Sequence, residues 1–508
     1  LRSAGPARRP RVRRDMLHKM ENLAAIIEEH QPDRIALIDG DATITYGDLR
    51  SRVDQLRGQL VRSGYGPEAR MAILAGNETD FVVATLAVLG FGGMVVPVRP
   101  TSPVPELVRK LATVDPDAML IGDAGRWVLD QADAIDIPLI DLADTDASLG
   151  APAGSDQAAP PIVDRDPDDL AFLLLTSGVS SDAKVAMLSH GNLSWVQQAI
   201  TAPQAEDGLN ADDVALGVLP FSHIFGLNVV LLATLRMGAT VVLQRRFDAD
   251  LSLQLIRQHK ITTISGAPPM WQRWAVADAP DDTLASVRNA ASGAAALPVD
   301  VFEAIRDRYG VEIGEGYGLT ETSPVATWSR GIDPRATSVG KPLAGVDVVL
   351  AEPDGTPVEP GDTGEIVIRS PGVFKGYLDA PELTAAVLTD DGWFWTGDMG
   401  VFDDDGYLYL VDRMKDIIIV SGFNVYPAEV ESILMEHPAV TGAIVVATPH
   451  GETGETVAAH VAGQVSAEEL DAFARARLST YKCPTEYHFV DELPVAPTGK
   501  LIRRELRS

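Results

Sequence analysis

Hydrophobic and polar positions follow two periods in the first part of the chain, one typical of strands and one typical of amphipathic helices. Residues 35–39 and 43–46 are predicted to form a hairpin around Gly40-Asp41, and a helix is predicted at 48–62. Buried strands then alternate with helical stretches. The strands are predicted at 71–74, 94–98 and 118–121, and the helices between them at 81–89 and 105–113. This β-α-β order predicts parallel sheets covered by helices.

The rest of the chain divides into four further regions. Residues 144–168 are rich in Asp, Ala, Pro, Gly and Ser and are predicted to be an exposed connection. A second α/β succession follows, and after Gly345 the pattern changes to short strands and turns. Residues 417–508 are predicted to be a compact α+β stretch. Strands are predicted near 214, 239–243, 262–265, 287–292, 346–350, 365–369, 394–396, 401–402, 407–411, 443–447, 457–462 and 486–490.

The predicted fold class is therefore α/β, with a large N-terminal domain of two helix-covered sheets plus a small β-rich subdomain, and a small mobile C-terminal α+β domain. The predicted boundaries are 1–19 for a disordered basic extension, 20–412 for the large domain, 413–416 for a hinge and 417–508 for the small domain. An organelle presequence is the alternative interpretation of the first 15 residues, which carry six arginines.

Composition excludes several classes of function. The 508 residues carry a net charge of −30, which argues against nucleic acid or an anionic membrane as a general partner. The single cysteine, Cys483, excludes an intrachain disulfide and a cysteine metal cluster, and it favours a cytoplasmic compartment. The longest apolar run, residues 224–235, is too short to span a bilayer.

A candidate phosphate loop follows the apolar run at 171–175, which is predicted to be a buried strand. Small and hydroxyl residues come directly after it, Lys184 closes the loop, and a helix is predicted to start near His190. Hydroxyl and backbone N–H groups at a strand's end can converge on an anion, and a lysine can reach a terminal phosphate. On these residues alone, a polar turn is an equally good interpretation. The loop residues are Thr176, Ser177, Gly178, Ser180 and Ser181.

Three further clusters supply what a nucleotide site needs. Tyr317, Thr320 and Glu321 place an aromatic face, a hydroxyl and a carboxylate within five positions. Asp398 stands beside a strand end, where its carboxylate suits the hydroxyls of a ribose. Lys500 lies on a predicted tight turn, Pro497-Thr498-Gly499-Lys500.

From about residue 20 to residue 507 the sequence resembles the acyl-adenylate-forming superfamily, which includes acyl-CoA synthetases, the adenylation domains of nonribosomal peptide synthetases, and firefly luciferase. The resemblance rests on five motifs in the family's order: TSGVSSDAK, YGLTE, TGD, DRMKDIIIVSGFNVYPAEVE and PTGK. It implies two steps. A carboxylate attacks the α-phosphate of ATP to give acyl-AMP and pyrophosphate, and a thiol, usually that of coenzyme A, then attacks the acyl carbonyl.

The resemblance also implies roles for individual residues. Tyr317 would pack on adenine, Thr320 would contact the α-phosphate, and Glu321 would bind Mg²⁺ together with Thr176. The β- and γ-phosphates would be held by Thr176, Ser177, Gly178, Ser180 and Lys184. Further cofactor contacts are expected from Ser181, Gly293, Ala294, Ala295 and Gly318, and ribose contacts from Asp398 and Arg413.

The remaining implied roles concern the two half-reactions. Lys500 would bridge the reacting carboxylate and the α-phosphate, and His223 would gate the acyl and thiol channels. Lys415 would lie at the hinge about which the small domain swings. The pantetheine tunnel would be faced by Ser421, Gly422 and Phe423.

The expected substrate is a fatty or aromatic carboxylate without a charged head. Residues 220–235 contain no acid that could pair with an α-amino group. The segments that would line the acyl pocket are mostly apolar and small. They contribute Phe225, Gly226, Leu227, Asn228, Ala267, Met270, Trp271, Ala294, Ala295 and Ala296.

Two alternatives to a coenzyme A ligase remain open. An acyl-AMP ligase would pass the acyl group to a carrier-protein phosphopantetheine, and a catalytically weakened relative would only bind acyl-adenylate or ATP. The second rests on the phosphate loop, because Val179, Ser181, Ala183 and Val185 depart from the family pattern T-S-G-[ST]-[ST]-G-x-P-K-G. A homodimer is also left open.

Overall fold

The computed structural model describes residues 22–145, 149, 159–176, 184–201, 208–413, 418–420, 423–450, 454–478, 482–494 and 506. The first of its sheets has six strands, all parallel to their neighbours except the last. Its strand order is Leu139–Asp141, Ala118–Ile121, Arg70–Leu74, Met94–Val98, Leu170–Thr176 and Lys184–Ser189. The helices that cover it include Thr79–Gly90, Val104–Val114 and the 3₁₀ helix Asp123–Ala134.

The second sheet has nine strands, of which the central six are parallel. Side chains alternate between its faces, and one face packs on three helices around Trp271 and Trp274. These helices are Ala249–His259, Pro268–Val276 and Val299–Tyr309. The strand order is Lys341–Pro342, Thr327–Trp328, Ile313–Tyr317, Asn289–Ser292, Thr263–Gly266, Val214–Gly217, Thr240–Leu243, Ile35–Asp39 and Ala42–Thr45.

Three helical segments join the two sheets. Tyr46–Arg62 is capped by Thr45, whose hydroxyl accepts from the Asp48 N–H while the Asp48 carboxylate accepts from the Thr45 N–H. His190–Thr201 packs against the π-helix Phe225–Leu232, which continues as the helix Ala233–Arg236. The prediction of two helix-covered sheets is confirmed. The prediction that Tyr46 ends a strand is wrong, because the capping box makes it the first helical residue.

The β-rich subdomain is a four-stranded antiparallel sheet of Asp347–Ala351, Gly364–Arg369, Phe394–Phe402 and Leu408–Arg413. The two strands predicted at 394–396 and 401–402 are one strand, whose register shifts between Met399 and Gly400. The sequence suggested a break because Gly397 lies inside the strand, where it has a positive φ of 72°, and glycine usually weakens a strand. The short helix Pro381–Ala385 lies between the second and third strands.

The C-terminal part is α+β, as predicted. Its sheet contains Ile418–Val420, Phe423–Val425, Val440–His450, Gly454–Gly463 and Glu486–Phe489, covered by the helices Pro427–Met435 and Ala467–Arg475. The domain boundaries stay predictions, since residues 414–417 lie outside the described residues. Among the described residues, no helix combines the length and apolar character needed to span a bilayer.

Candidate active site

Tyr317 and Asp398 meet where two sheets approach each other. Tyr317 ends the strand Ile313–Tyr317, and its hydroxyl donates a hydrogen bond of 2.7 Å to Oδ2 of Asp398. Asp398 lies on Phe394–Phe402, opposite Arg413 in the strand register. Both side chains are more than nine-tenths buried. The structure therefore brings together the residues predicted to contact adenine and ribose.

Gly318 makes the tight turn after Tyr317 possible. A Cβ at this position would lie 1.7 Å from the carbonyl oxygen of Pro324, so no side chain fits there. The chain then forms the 3₁₀ turn Thr320–Thr322, closed by a hydrogen bond of 2.9 Å from the Leu319 N–H to Oγ1 of Thr322. This turn leaves Thr320 partly exposed and places Glu321 in a buried position.

Glu321 has a partner that the motifs do not reveal. The Tyr377 hydroxyl donates a hydrogen bond of 2.7 Å to Oε1 of Glu321. Burial and the adjacent carboxylate raise the pKa of Tyr377 well above its usual range, so the phenol stays protonated and remains a donor. Lys184 Nζ lies 4.9 Å from the centre of the Tyr377 ring, a cation–π distance.

Lys184 and Thr176 face each other across a hairpin. The strand Lys184–Ser189 pairs antiparallel with Leu170–Thr176, and Thr176 Oγ1 donates a hydrogen bond of 3.2 Å to the Lys184 carbonyl oxygen. The sequence predicted only a loop between a strand and the helix at His190, and it missed this second strand. The hairpin fixes Lys184 and Thr176 at the mouth of the predicted phosphate loop.

His223 and Phe225 lie at the start of the π-helix, and the Phe225 ring approaches Gly293. The His223 N–H donates to the Pro220 carbonyl at 3.0 Å, and its own carbonyl accepts from Leu227 at 2.9 Å, which starts the π-helix. A Cβ on Gly293 would lie 3.0 Å from Cε1 of Phe225, so the glycine allows this ring to approach the backbone. Ala294 follows in a left-handed conformation, with φ of 72°, and Ala294, Ala295 and Ala296 are exposed.

Comparison with known proteins decides the family. The model of the AMP-binding enzyme family matches residues 25–378, and the model of its C-terminal domain matches residues 429–500. The chain belongs to the AMP-binding enzyme family. This confirms the predicted acyl-adenylate-forming superfamily and the predicted class of AMP-forming acid–thiol ligase.

Relatives of this AMP-binding enzyme match along nearly the whole chain. Feruloyl-CoA synthase of Amycolatopsis sp is 37% identical over 497 residues, covering 94% of this chain and 96% of the relative. Long-chain-fatty-acid–CoA ligase of Bacillus subtilis is 33% identical over 526 residues, covering 94% and 91%. The crystal structure of ATP-bound MatB from Rhodopseudomonas palustris superposes with a TM-score of 0.87 at 29% identity, covering 96% and 98%.

Several predicted site residues of the AMP-binding enzyme lie outside the described residues. Residue roles that depend on them stay predictions. Outside are Ser177, Gly178, Ser180, Ser181, Lys415, Ser421, Gly422 and Lys500, and the side chains of Arg413 and Phe423.

Three residues predicted to line the acyl pocket lie elsewhere. Trp271 has no exposed surface, packs on Trp274 and donates to the Ala291 carbonyl at 3.2 Å. Leu227 is equally buried in the main core. Asn228 is fully buried and hydrogen-bonds the Gln197 amide at 2.7 Å. The prediction was wrong for these three because sequence adjacency does not show which face of a helix turns toward a site.

Proposed function

We propose that this AMP-binding enzyme activates a fatty or aromatic carboxylic acid with ATP and transfers the acyl group to coenzyme A. The observation that carries the proposal is that the turn after Tyr317, which carries Glu321, packs beside the strand Lys184–Ser189, so the Tyr317–Asp398 pair and the Glu321–Tyr377–Lys184 group are neighbours. An aromatic ring, two carboxylates and a cation are the groups that a nucleoside triphosphate needs for its base, its ribose, its metal ion and its phosphates. The named relatives, a feruloyl-CoA and a long-chain-fatty-acid–CoA enzyme, support the acyl and thiol partners.

Magnesium is part of the proposal. Within the described residues, no cluster of three or more His, Cys, Asp or Glu side chains could hold a metal by itself. A single carboxylate nevertheless fits Mg²⁺, which keeps water and phosphate oxygens as most of its ligands. Glu321 offers the Oε2 atom that Tyr377 does not contact, and the Thr176 oxygen keeps lone pairs because its proton goes to a carbonyl. Bound Mg²⁺ would neutralise charge on the phosphates.

The chain's own residues then have distinct tasks in the proposed reaction. Asp398 accepts from Tyr317, and this hydrogen bond holds the carboxylate that would bind the ribose hydroxyls. Lys184 is held at the hairpin mouth, where its ammonium offsets charge on the terminal phosphates. Lys500 is proposed, from the family resemblance, to place the carboxylate against the α-phosphate. Because phosphoryl chemistry needs positioning and charge stabilisation, no protein nucleophile is required.

A cytoplasmic location belongs to the same proposal. Cys483 is the chain's one cysteine and is buried, which is typical of a protein in a reducing compartment.

The test is pyrophosphate release from ATP over acids of graded length and aromaticity, with and without coenzyme A. We expect release to depend on the acid and a thioester to form only with coenzyme A. Release that needs no acid would contradict the proposal, as would release without thioester. Pyrophosphate release without thioester formation would favour transfer of the acyl group to a carrier protein.

A further inference from the structure

The π-helix Phe225–Leu232 contains one polar side chain, and its other residues are apolar or glycine. Asn228 is the fourth of the eight residues, FGLNVVLL, and has no exposed surface. Burying an amide is unfavourable unless protein hydrogen bonds replace those made with water. π-helical turns are also rare and are found frequently at functional sites. The contacts of Asn228 therefore show what this helix holds in place.

The Asn228 amide is hydrogen-bonded at both its nitrogen and its oxygen. Its Nδ2 atom donates to the Ser323 carbonyl at 2.6 Å and to the Leu193 carbonyl at 3.4 Å, and its Oδ1 atom accepts from Nε2 of Gln197 at 2.7 Å. The Gln197 Oε1 atom accepts in turn from Nε of Arg236. A carbonyl only accepts and a guanidinium only donates, so each amide has one possible orientation. The result is a directed series of hydrogen bonds from Arg236 to the Ser323 carbonyl, which we name the amide chain.

The amide chain ends on the turn that carries Glu321. Ser323 directly follows the turn Thr320–Thr322 and has a left-handed conformation, with φ of 64°. This conformation is unfavourable for a residue with a side chain, so surrounding contacts must hold it. Ser323 Oγ and the Glu321 carbonyl bind backbone groups in the segment 372–374, at 2.8 Å and 2.9 Å. The turn is thus fastened both to that segment and, through Asn228, to the π-helix.

We propose that Asn228 is a positioning residue for adenylation, which holds the turn through Ser323 and so keeps the Glu321 carboxylate where it can bind Mg²⁺. The inference rests on the proposed function and adds to it a residue that touches neither ATP nor the metal. Ser323 is two residues from Glu321, so a shift of its peptide moves the carboxylate. Groups that orient a metal ligand matter for affinity, and their loss typically weakens metal binding about 10–100-fold.

The test measures the affinity of the enzyme for a non-hydrolysable ATP analogue by calorimetry, once with Mg²⁺ and once with EDTA. The ratio of the two affinities, the Mg²⁺ gain, needs neither acid nor coenzyme A. Asn228→Leu keeps the approximate side-chain volume and removes the donor to Ser323. We expect the Mg²⁺ gain to fall by at least about tenfold, because Glu321 is no longer held. The affinity in EDTA should change by no more than about threefold, since Glu321 acts through the metal.

Asn22→Leu is the matched control, because Asn22 is also a buried asparagine with both ends of its amide hydrogen-bonded. Its partners are the backbone groups of Ala24, Leu89 and Val163. They lie where the parallel strands of the six-stranded sheet begin, whereas the phosphate-loop hairpin lies where these strands end. Asn22→Leu should therefore lower the thermal-unfolding temperature, as Asn228→Leu does, but keep the Mg²⁺ gain within about twofold of the wild-type value.

The outcomes separate this inference from the proposed function. A Mg²⁺ gain that survives Asn228→Leu would overturn the inference, as would an equal loss in Asn22→Leu, which would reflect general destabilisation. If Asn228→Leu does not fold, Gln197→Leu decides. It removes the donor that orients the Asn228 amide and should lower the gain by at least about threefold, so an unchanged gain would overturn the inference. Absence of any Mg²⁺ gain in the wild-type enzyme would instead overturn the magnesium site of the proposed function.

Discussion

At the scale of single residues, the site depends on buried hydrogen-bonded pairs that each hold one carboxylate in place. Tyr317 and Asp398 form one such pair, and Tyr377 and Glu321 form another. The motifs in the sequence identify Tyr317, Asp398 and Glu321. Tyr377 has no such signal, because its contact with Glu321 spans 56 positions and depends on residues 374–378 lying beside the strand Lys184–Ser189.

Tyr377→Phe tests the second pair. The variant keeps the ring beneath Lys184 but removes the donor to the buried Glu321 carboxylate. A hydrogen bond to a charged group contributes about 1.5–3 kcal/mol, so we expect kcat/KM for adenylation to fall by about tenfold or more. Steady-state pyrophosphate release against ATP concentration measures the change. Tyr377→Leu, which also removes the ring, should be worse, and equal activity of wild type and Tyr377→Phe would contradict the assignment.

Glu315 gives a prediction of pH dependence. Its carboxylate is buried and accepts from the Leu297 N–H at 3.0 Å, and burial raises its pKa from 4.5 to about 7. Between pH 4.5 and pH 7 the folded state therefore holds a proton that the unfolded state has lost. The stability that this proton gives the folded state is fully present below pH 4.5 and is lost as the pH rises through 7. At about 1.36 kcal/mol per pKa unit, the loss is at most about 3 kcal/mol.

Glu315→Gln isolates that contribution, because the amide oxygen can still accept from Leu297 but does not titrate. We expect the free energy of unfolding of the wild type, relative to this variant, to decrease between pH 4.5 and pH 7. Urea unfolding of both proteins across this range measures it. A difference that stays constant with pH would show that Glu315 does not titrate there.

At the scale of elements, the pattern of hydrophobic and polar residues was sufficient to predict both large sheets. It did not predict strands whose apolar run is short or whose strand register shifts. The strand Lys184–Ser189 was missed because its apolar run, residues 185–188, is only four residues long, and pairing with Leu170–Thr176 makes it a strand. The acyl pocket stays a prediction. Phe225 lies near Gly293, whereas the burial of Leu227, Asn228 and Trp271 could not be predicted, because it depends on packing with residues distant in the sequence.

The turn after the strand Ile313–Tyr317 gives a prediction about backbone packing. In Gly318→Ala the new Cβ would meet the Pro324 carbonyl oxygen, so the turn carrying Thr320 and Glu321 must shift. We expect a loss of stability above about 2 kcal/mol and at least about hundredfold lower adenylation. Gly310→Ala is the control. Gly310 has a positive φ, unlike Gly318, but a Cβ there would have nothing within 4 Å, so only about 1 kcal/mol should be lost.

These two variants are compared by urea unfolding and by pyrophosphate release. If Gly318→Ala destabilises the protein no more than Gly310→Ala, the clash costs no more than the backbone strain at Gly310. The contact with Pro324 would then have no special role.

At the scale of the whole molecule, a net charge of −30 opposes the binding of an anionic nucleotide unless cations are concentrated locally. Lys184 is the cation that the described residues place at the phosphate-loop hairpin, and the family resemblance adds Lys500 on the small domain. The two half-reactions are expected to use different orientations of that domain, with Lys415 at the hinge.

Lys500→Ala and Lys415→Pro test this division of labour. The first should lower adenylation by more than about hundredfold, because a preorganised cation at the α-phosphate is lost, and should leave thioester formation from supplied acyl-AMP largely intact. Lys415→Pro should slow thioester formation and leave adenylation largely intact, since proline restricts the hinge. Single-turnover assays of each half-reaction measure both. Loss of the same half-reaction in both variants would contradict the domain rotation.

The central claim is that a carboxylate of the substrate attacks the α-phosphate of ATP. Its most direct test uses the acid that gives the fastest pyrophosphate release, labelled with oxygen-18 in the carboxylate, together with ATP and coenzyme A. The mass of the AMP product is then measured. The account predicts one oxygen-18 atom in the phosphate of AMP, because the attacking oxygen stays on phosphorus when the thiol takes the acyl group. Unlabelled AMP, or ADP with labelled inorganic phosphate, would contradict it.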